Sequence, residues 1–208
     1  MAGTTVEDRG QVPAAFTAAL AEAGIVLSAD QITRVRGASK RQAIRQLLPP
    51  HQASGADEIY GRFKDRLAQQ YAAGGVRSIA NASDIFRRLK DNGVKVALTT
   101  GFDRDTTTLL MSSLGWTSAV VDAVVCGDDV QNGRPAPDMI LLAMRLTGID
   151  DASQVANIGD TALDLEAAAR AGVKWNIGVL SGAHRRATLE RAPHTHIVSS
   201  IADLPFDA

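Results

Sequence analysis

Residues 154–164 read Gln154-Val155-Ala156-Asn157-Ile158-Gly159-Asp160-Thr161-Ala162-Leu163-Asp164. A short apolar run ends in Gly-Asp-Thr, and a segment with helical spacing comes next. This is a strand-to-helix joint, with Asp160 at the strand tip and Asp164 one turn into the helix on the same face. The alternation continues on both sides. Val94–Thr99, Ala123–Cys126, Gln154–Ile158, Trp175–Val179 and His196–Val198 read as strands. Helices are expected over Arg104–Leu114, Asp138–Thr147, Leu163–Ala171 and Arg185–Arg191. Such spacing predicts an α/β fold with a doubly wound parallel sheet, whose ligands bind beyond the carboxyl ends of the strands.

Upstream, from about Gln11 to Asp91, the apolar spacing is helical throughout. Val12, Phe16, Ala19 and Leu20 mark one helix, which ends near Gly24. Ile32 and Val35 mark a short second, and Ala43, Ile44 and Leu47 a third that Pro49-Pro50 stops. Ile59, Tyr60, Phe63, Leu67 and Tyr71 mark a long fourth, and Ile85, Phe86 and Leu89 a fifth that ends at Gly93.

The chain has 208 residues, 45% hydrophobic, with 22 Lys+Arg against 23 Asp+Glu and a net charge of −1. That is enough apolar sequence for a real core, and the balanced charge gives no reason to expect nucleic acid or an anionic membrane as partner. The single cysteine, Cys126, excludes an intramolecular disulfide and a Cys-rich zinc site, and reads as a buried small hydrophobe. No apolar stretch approaches the roughly 18–20 residues of a membrane span. The N-terminus lacks a secretory apolar run, so a cytoplasmic protein is expected. The four histidines show no metal spacing, and His184 reads as a surface residue. Trp116, Trp175, Tyr60, Phe63 and Tyr71 read as packing.

The residues just past each strand carry the chemistry. After the first stand Thr99-Thr100-Gly101, leading to Asp103 as a helix N-cap. Hydroxyls and backbone N–H groups there form an anion site, or an ordinary turn. After the second comes Gly133-Arg134-Pro135-Ala136-Pro137, which holds Arg134 in a stiff loop as a phosphate clamp or as a solvated side chain. After the third come Asp160 and Asp164. Two carboxylates at this edge suit a hard cation such as Mg2+, which keeps several waters; helix capping is the competing reading. Three such loops converging on one edge favour a site over three unrelated turns.

Together these residues resemble the haloacid dehalogenase superfamily. Its members carry an aspartate nucleophile after the first strand, then a Thr or Ser, a Lys or Arg, and a Gly-Asp-x-x-x-Asp metal motif. The last three match Thr100, Arg134 and Gly159-Asp160 with Asp164. The helical segment would then be a cap over 11–80, inserted in a core of residues 1–10 and 81–208. Met1-Ala2-Gly3-Thr4-Thr5-Val6 further resembles the end of the Asp-x-Ala-Gly-Thr-Thr motif of the phosphonatase subfamily, which also has Arg at the position of Arg134.

The resemblance implies a Mg2+-dependent hydrolase that cleaves a C–P or P–O bond of a small phosphonate or phosphate through an aspartyl-phosphate. It implies Thr100, Gly101 and Arg134 on the phosphoryl group, and Asp160, Asp164 and the Ala2 carbonyl at the metal. Ala2 replaces the acid that ordinary phosphatases use to protonate a leaving oxygen. The subfamily instead condenses a cap lysine with the substrate aldehyde, and Lys40 stands at that position. The Ser39-Lys40-Arg41-Gln42 capping pattern puts Lys40 in a first helical turn, where the helix end, Arg36 and Arg41 lower its pKa. A solvated lysine and a cation that only reads an anion are the alternatives.

Two departures stand out. By the resemblance, the nucleophilic Asp and its strand belong immediately before Met1, so a misassigned start or a shortened chain is expected. The chain as written is expected to be inactive or nearly so, with a gap in the sheet. Ala43 and Phe102 also replace a His and a Tyr of the subfamily, which leaves the substrate open. The rival functions are a phosphomonoesterase whose Lys40 reads an anion, and a non-catalytic phosphometabolite-binding protein. A small phosphorylated or phosphonate substrate is the expected partner, and a homodimer is left open.

Overall fold

The computed structural model describes residues 1–28, 31–32 and 35–205. The short helix expected around Ile32 and Val35 falls partly on 29–30 and 33–34, outside those residues. The upstream helices are α1 (Gln11–Ala21), α2 (Lys40–Leu47), α3 (Ala56–Gly74) and α4 (Ala82–Asp91). Ile59, Tyr60, Phe63, Leu67 and Tyr71 recur every three or four residues along α3, and all five are buried. Phe63 meets Phe16 of α1 edge-on at 6.0 Å and stacks with Tyr60 at 6.0 Å, which locks α1 against α3. Proline cannot donate to a continuing helix, and the chain leaves α2 at Pro49-Pro50 for a short 3-10 turn, Pro50–Gly55.

The remaining elements alternate as expected: β1 (Ala97–Thr99), α5 (Arg104–Leu114), β2 (Ala123–Val125), α6 (Asp138–Thr147), β3 (Ala156–Gly159), α7 (Ala162–Ala171), β4 (Trp175–Val179), α8 (Arg186–Leu189) and β5 (His196–Val198). The pairings among β1–β5 are parallel. Leu98 of β1 lies opposite Val124 of β2, Ile158 of β3 opposite Ile177 of β4, and Gly178 of β4 opposite Ile197 of β5. Parallel strands place every strand-to-helix loop at one edge.

The sheet comes in two hydrogen-bonded pieces, β1–β2 and β3–β4–β5. Between them lies a cavity of about 610 Å³, with Val96–Thr99 on one wall and Val155–Ile158 on the other. Phe86, Ile140 and Met144 also line it, so this seam is apolar as well as unpaired. β1 starts three residues later than the periodicity predicts. The Asp122 carboxylate accepts the Val96 N–H at 2.9 Å, while the Val96 carbonyl accepts the Asp122 N–H at 2.8 Å. That local exchange satisfies the backbone before the ladder begins.

Candidate active site

At the carboxyl edge of the strands, a cavity of about 90 Å³ is lined by Met1, Ala2, Lys40, Thr100, Gly101, Arg134, Asp160 and Asp164. Every site residue expected from the sequence borders this one space. Asp160 ends β3 and is clasped from two sides. Thr4 donates its hydroxyl to Oδ1 at 2.9 Å, and the Ala183 N–H donates to Oδ2 at 2.8 Å. The clasp depends on small residues: a Cβ at Gly3, where φ is +82°, or at Gly182 would run into the Asp160 carboxylate. Ser181 closes the arrangement by donating to the Gly3 carbonyl at 2.8 Å. Burial, and then the neighbouring charge of Asp164, push the Asp160 pKa up.

Asp164 behaves differently. Burial opposes its ionisation, but the Arg134 guanidinium and the Thr161 hydroxyl hold its carboxyl below the usual range. Thr161 donates to Oδ2 through its N–H at 3.0 Å and its hydroxyl at 2.5 Å, and the two residues form the capping box of α7. Arg134 forms a close ion pair with Oδ1. Capping and site chemistry therefore share this carboxylate. Arg134 follows a Gly in the β2–α6 loop and precedes a cis Pro135, and its side chain is only 10% exposed. Its Nε has no hydrogen-bond partner among the described residues. A buried guanidinium N–H with no acceptor beside the Thr100 loop is a vacant donor for an anion.

Among the described residues Asp160 has no cationic side-chain partner, and a buried carboxylate of this kind fits a hard cation such as Mg2+. Among the described residues no three His, Cys, Asp or Glu side chains gather around one point. A cation here would rest on Asp160, backbone carbonyls and water, since Asp164 is paired with Arg134.

Lys40 opens α2. It approaches the carbonyls of Val35 and Ala38 at 3.5 and 3.4 Å and lies 5.6 Å from the Phe16 ring centre. Burial lowers its pKa to about 8, with Arg134 and Arg36 adding to the fall and Asp8 and Asp160 opposing it. Arg41 is not among the groups that lower it most. That side chain turns to the Tyr60 ring at 4.9 Å and to Asp57 at 3.6 Å. The Ser39 side chain also makes no cap bond, so the Ser39–Gln42 capping box does not form, although α2 still begins at Lys40. The helices are tied down by Lys64 to Asp103 at 3.1 Å and by Arg36 to the Ala183 carbonyl at 3.1 Å.

His184 is a correction. It is buried rather than at the surface, and its Nδ1 accepts the Ala162 N–H at 3.0 Å. Sequence reasoning also passed over Thr4, Ala183 and Asp8. Thr4 carried a signal, since it lies within the opening motif beside Ala2. Asp103, by contrast, caps α5 as expected, accepting the Thr106 N–H at 2.9 Å. Cys126 and Trp116 are buried, as expected.

Residues 2–177 match the family model described as haloacid dehalogenase-like hydrolase. A phosphonoacetaldehyde hydrolase of Bacteroides fragilis is 26% identical over 93% of this chain and 78% of its own length. One from Nitratidesulfovibrio vulgaris is 29% identical over 86% and 69%. Among solved structures, a hydrolase from Pseudomonas syringae superposes with a TM-score of 0.86 at 24% identity, covering 97% of this chain and 92% of that one. A phosphonoacetaldehyde hydrolase like protein from Oleispira antarctica gives 0.83 at 21%, covering 98% and 87%. With the strand-tip aspartate, the Thr-Gly turn and the loop arginine meeting in one pocket, the chain belongs to the haloacid dehalogenase-like hydrolases and is phosphonatase-like among them.

Proposed function

We propose that this protein hydrolyses a small phosphonate or phosphate that carries a carbonyl group. The observation that carries this reading is that Arg134 and Lys40 both line one cavity of about 90 Å³. Thr100, Gly101 and Arg134 hold the phosphoryl oxygens, where fixed donors stabilise charge that grows during transfer. Lys40, with a pKa of about 8, is unprotonated in roughly a tenth of molecules at pH 7, enough to condense with the carbonyl. Asp160 and the Ala2 carbonyl would hold Mg2+, with Asp164 orienting the site through Arg134; the cation supplies neutralising charge at the phosphoryl group.

In the aspartyl-phosphate route that the resemblance implies, the attacking carboxylate would come from an aspartate outside these 208 residues. Its carboxylate oxygen forms a bond to phosphorus while the C–P bond breaks. The electron pair passes to carbon and on to the iminium nitrogen of Lys40, giving an enamine. Water then cleaves the acyl phosphate to release phosphate, and a second water returns the aldehyde and free Lys40. The residue Ala2 suits a carbon leaving group that needs no proton from the core.

The test is Mg2+-dependent phosphate release from phosphonoacetaldehyde by this chain and by one extended with an apolar strand ending in Asp. Turnover by the extended chain alone supports the reading. Absence of turnover by both, with phosphonoacetaldehyde and with simple phosphate esters, overturns it.

A further inference from the structure

We propose that Asp8 is the proton-transfer residue for Lys40, carrying a proton between the lysine nitrogen and the carbonyl oxygen of the substrate as the two condense. The proposal rests on the carbonyl-condensing role of Lys40. Among the described residues three carboxylates line the cavity: Asp8, Asp160 and Asp164. Asp164 is bound to Arg134 and Thr161, and Asp160 is held by Thr4 and Ala183 at the phosphoryl end. Asp8 alone comes from the helical side, at the entry to α1, and shares that side with Lys40, Val12 and Phe16. Imine formation needs a group that takes and returns protons, and the neighbouring face of α2 offers only the buried Ala43 and Ile44.

The geometry leaves Asp8 free for the task. Its Oδ1 accepts the N–H groups of Gly10 at 3.0 Å and Val12 at 3.3 Å, which fixes the carboxylate at the start of α1. Its Oδ2 has no hydrogen-bond partner among the described residues. Among the described residues, Arg134, Asp8, Arg36 and Asp160 are the charged groups that act most on Lys40, and of the two carboxylates Asp8 acts more strongly. Asp8 also acts on Tyr71, a buried phenol whose pKa burial raises, with Asp8 adding to the rise.

The protons balance. The Lys40 ammonium gives one proton to Asp8, and the freed amine adds to the carbonyl carbon. The new N–C bond leaves a proton on nitrogen, which moves to the alkoxide and gives a carbinolamine. Asp8 then delivers its proton to the hydroxyl, which departs as water while the nitrogen lone pair forms the C=N bond. The iminium keeps the positive charge, and Asp8 is again a carboxylate.

The experiment measures the rate at which phosphonoacetaldehyde and cyanoborohydride label Lys40 at pH 7, tracked by intact and peptide mass. It compares the parent chain with Asp8→Asn, which keeps the Oδ1 acceptor for α1, and with Asp8→Glu. If Asp8 moves protons, Asp8→Asn slows labelling by roughly a hundredfold, Asp8→Glu restores much of the rate, and the final extent is unchanged. A purely electrostatic Asp8 gives the opposite sign, because its loss lowers the Lys40 pKa further and speeds labelling. Equal or faster labelling in Asp8→Asn, with Lys40 labelled in the parent, overturns the role of Asp8 and leaves the condensing lysine standing. No label on Lys40 in the parent overturns both. Unchanged circular dichroism and melting of Asp8→Asn separate a chemical loss from a fold defect.

Discussion

The two halves of the pocket are built on opposite plans. The core half, from Thr4, Arg134, Asp160, Thr161, Asp164 and Ala183, is a closed polar network in which both carboxylates already have donors. The helical half sets one amine and one carboxylate in an apolar wall of Val12, Phe16 and Val35. Charge is held by partners in the first and is left costly in the second. A network of fixed donors suits binding of an anion whose position must not drift, while a poorly solvated amine suits bond formation.

The contrast is sharpest at Arg134. Arg134→Ala leaves the buried Asp164 without its cation and is expected to cost about 3–5 kcal/mol in denaturant unfolding at pH 7. It should also abolish binding of inorganic phosphate, read by calorimetry. Arg134→Lys restores part of the stability as a point charge without the guanidinium fork.

Lys40 should answer with the opposite sign. The folded pKa of about 8 lies below the ordinary 10.5, so between those values the unfolded chain holds a proton that the folded protein has lost. Stability therefore rises with pH across that window, and below it the full penalty of a buried ammonium applies. Lys40→Met is expected to stabilise the protein by about 1–3 kcal/mol at pH 7, with the gain fading to nothing above pH ~10.5. Destabilisation by Lys40→Met at pH 7 would break the contrast between the halves.

Smaller effects refine it. Thr161→Ala removes the cap of α7 and one donor to Asp164, and should lower stability by about 1 kcal/mol in thermal melts. The last expectation needs no substitution. Amides of β1 and β3 that face the seam should exchange with solvent deuterium faster than those of β4, which is paired on both sides. Equal protection across all three strands would contradict an open seam.

Much of the fold was legible because it is local. β4 and β5 begin and end where the apolar runs do, and α5 and α6 match their expected bounds, each ended by a Gly at its C-cap. The seam was expected from the resemblance but not from periodicity, which registers strands and is blind to spaces between them. The late start of β1 escaped notice because an aspartate 26 residues away satisfies Val96. Within the site, residues that directly follow a strand could be named in advance, since parallel topology alone brings them together. Thr4, Asp8, Ala183 and His184 arrive from distant segments, and only the folded chain shows what they touch. The failed capping box at Ser39 makes the same point in reverse: a motif states what a side chain can bond, and the neighbours decide whether it does.

One consequence of the Arg134–Asp164 pair reaches beyond stability. In binding terms, on the proposed function Asp164 would be a tethered competitor, a carboxylate that already holds part of the guanidinium an incoming phosphoryl group would engage. A ligand that needs more of the guanidinium than Nε would have to share it with Asp164, so affinity for free phosphate would be capped from within and the tether would re-engage as product departs. An arginine released from this pair would grip anions harder and let them go more slowly, so the internal rival favours turnover over retention.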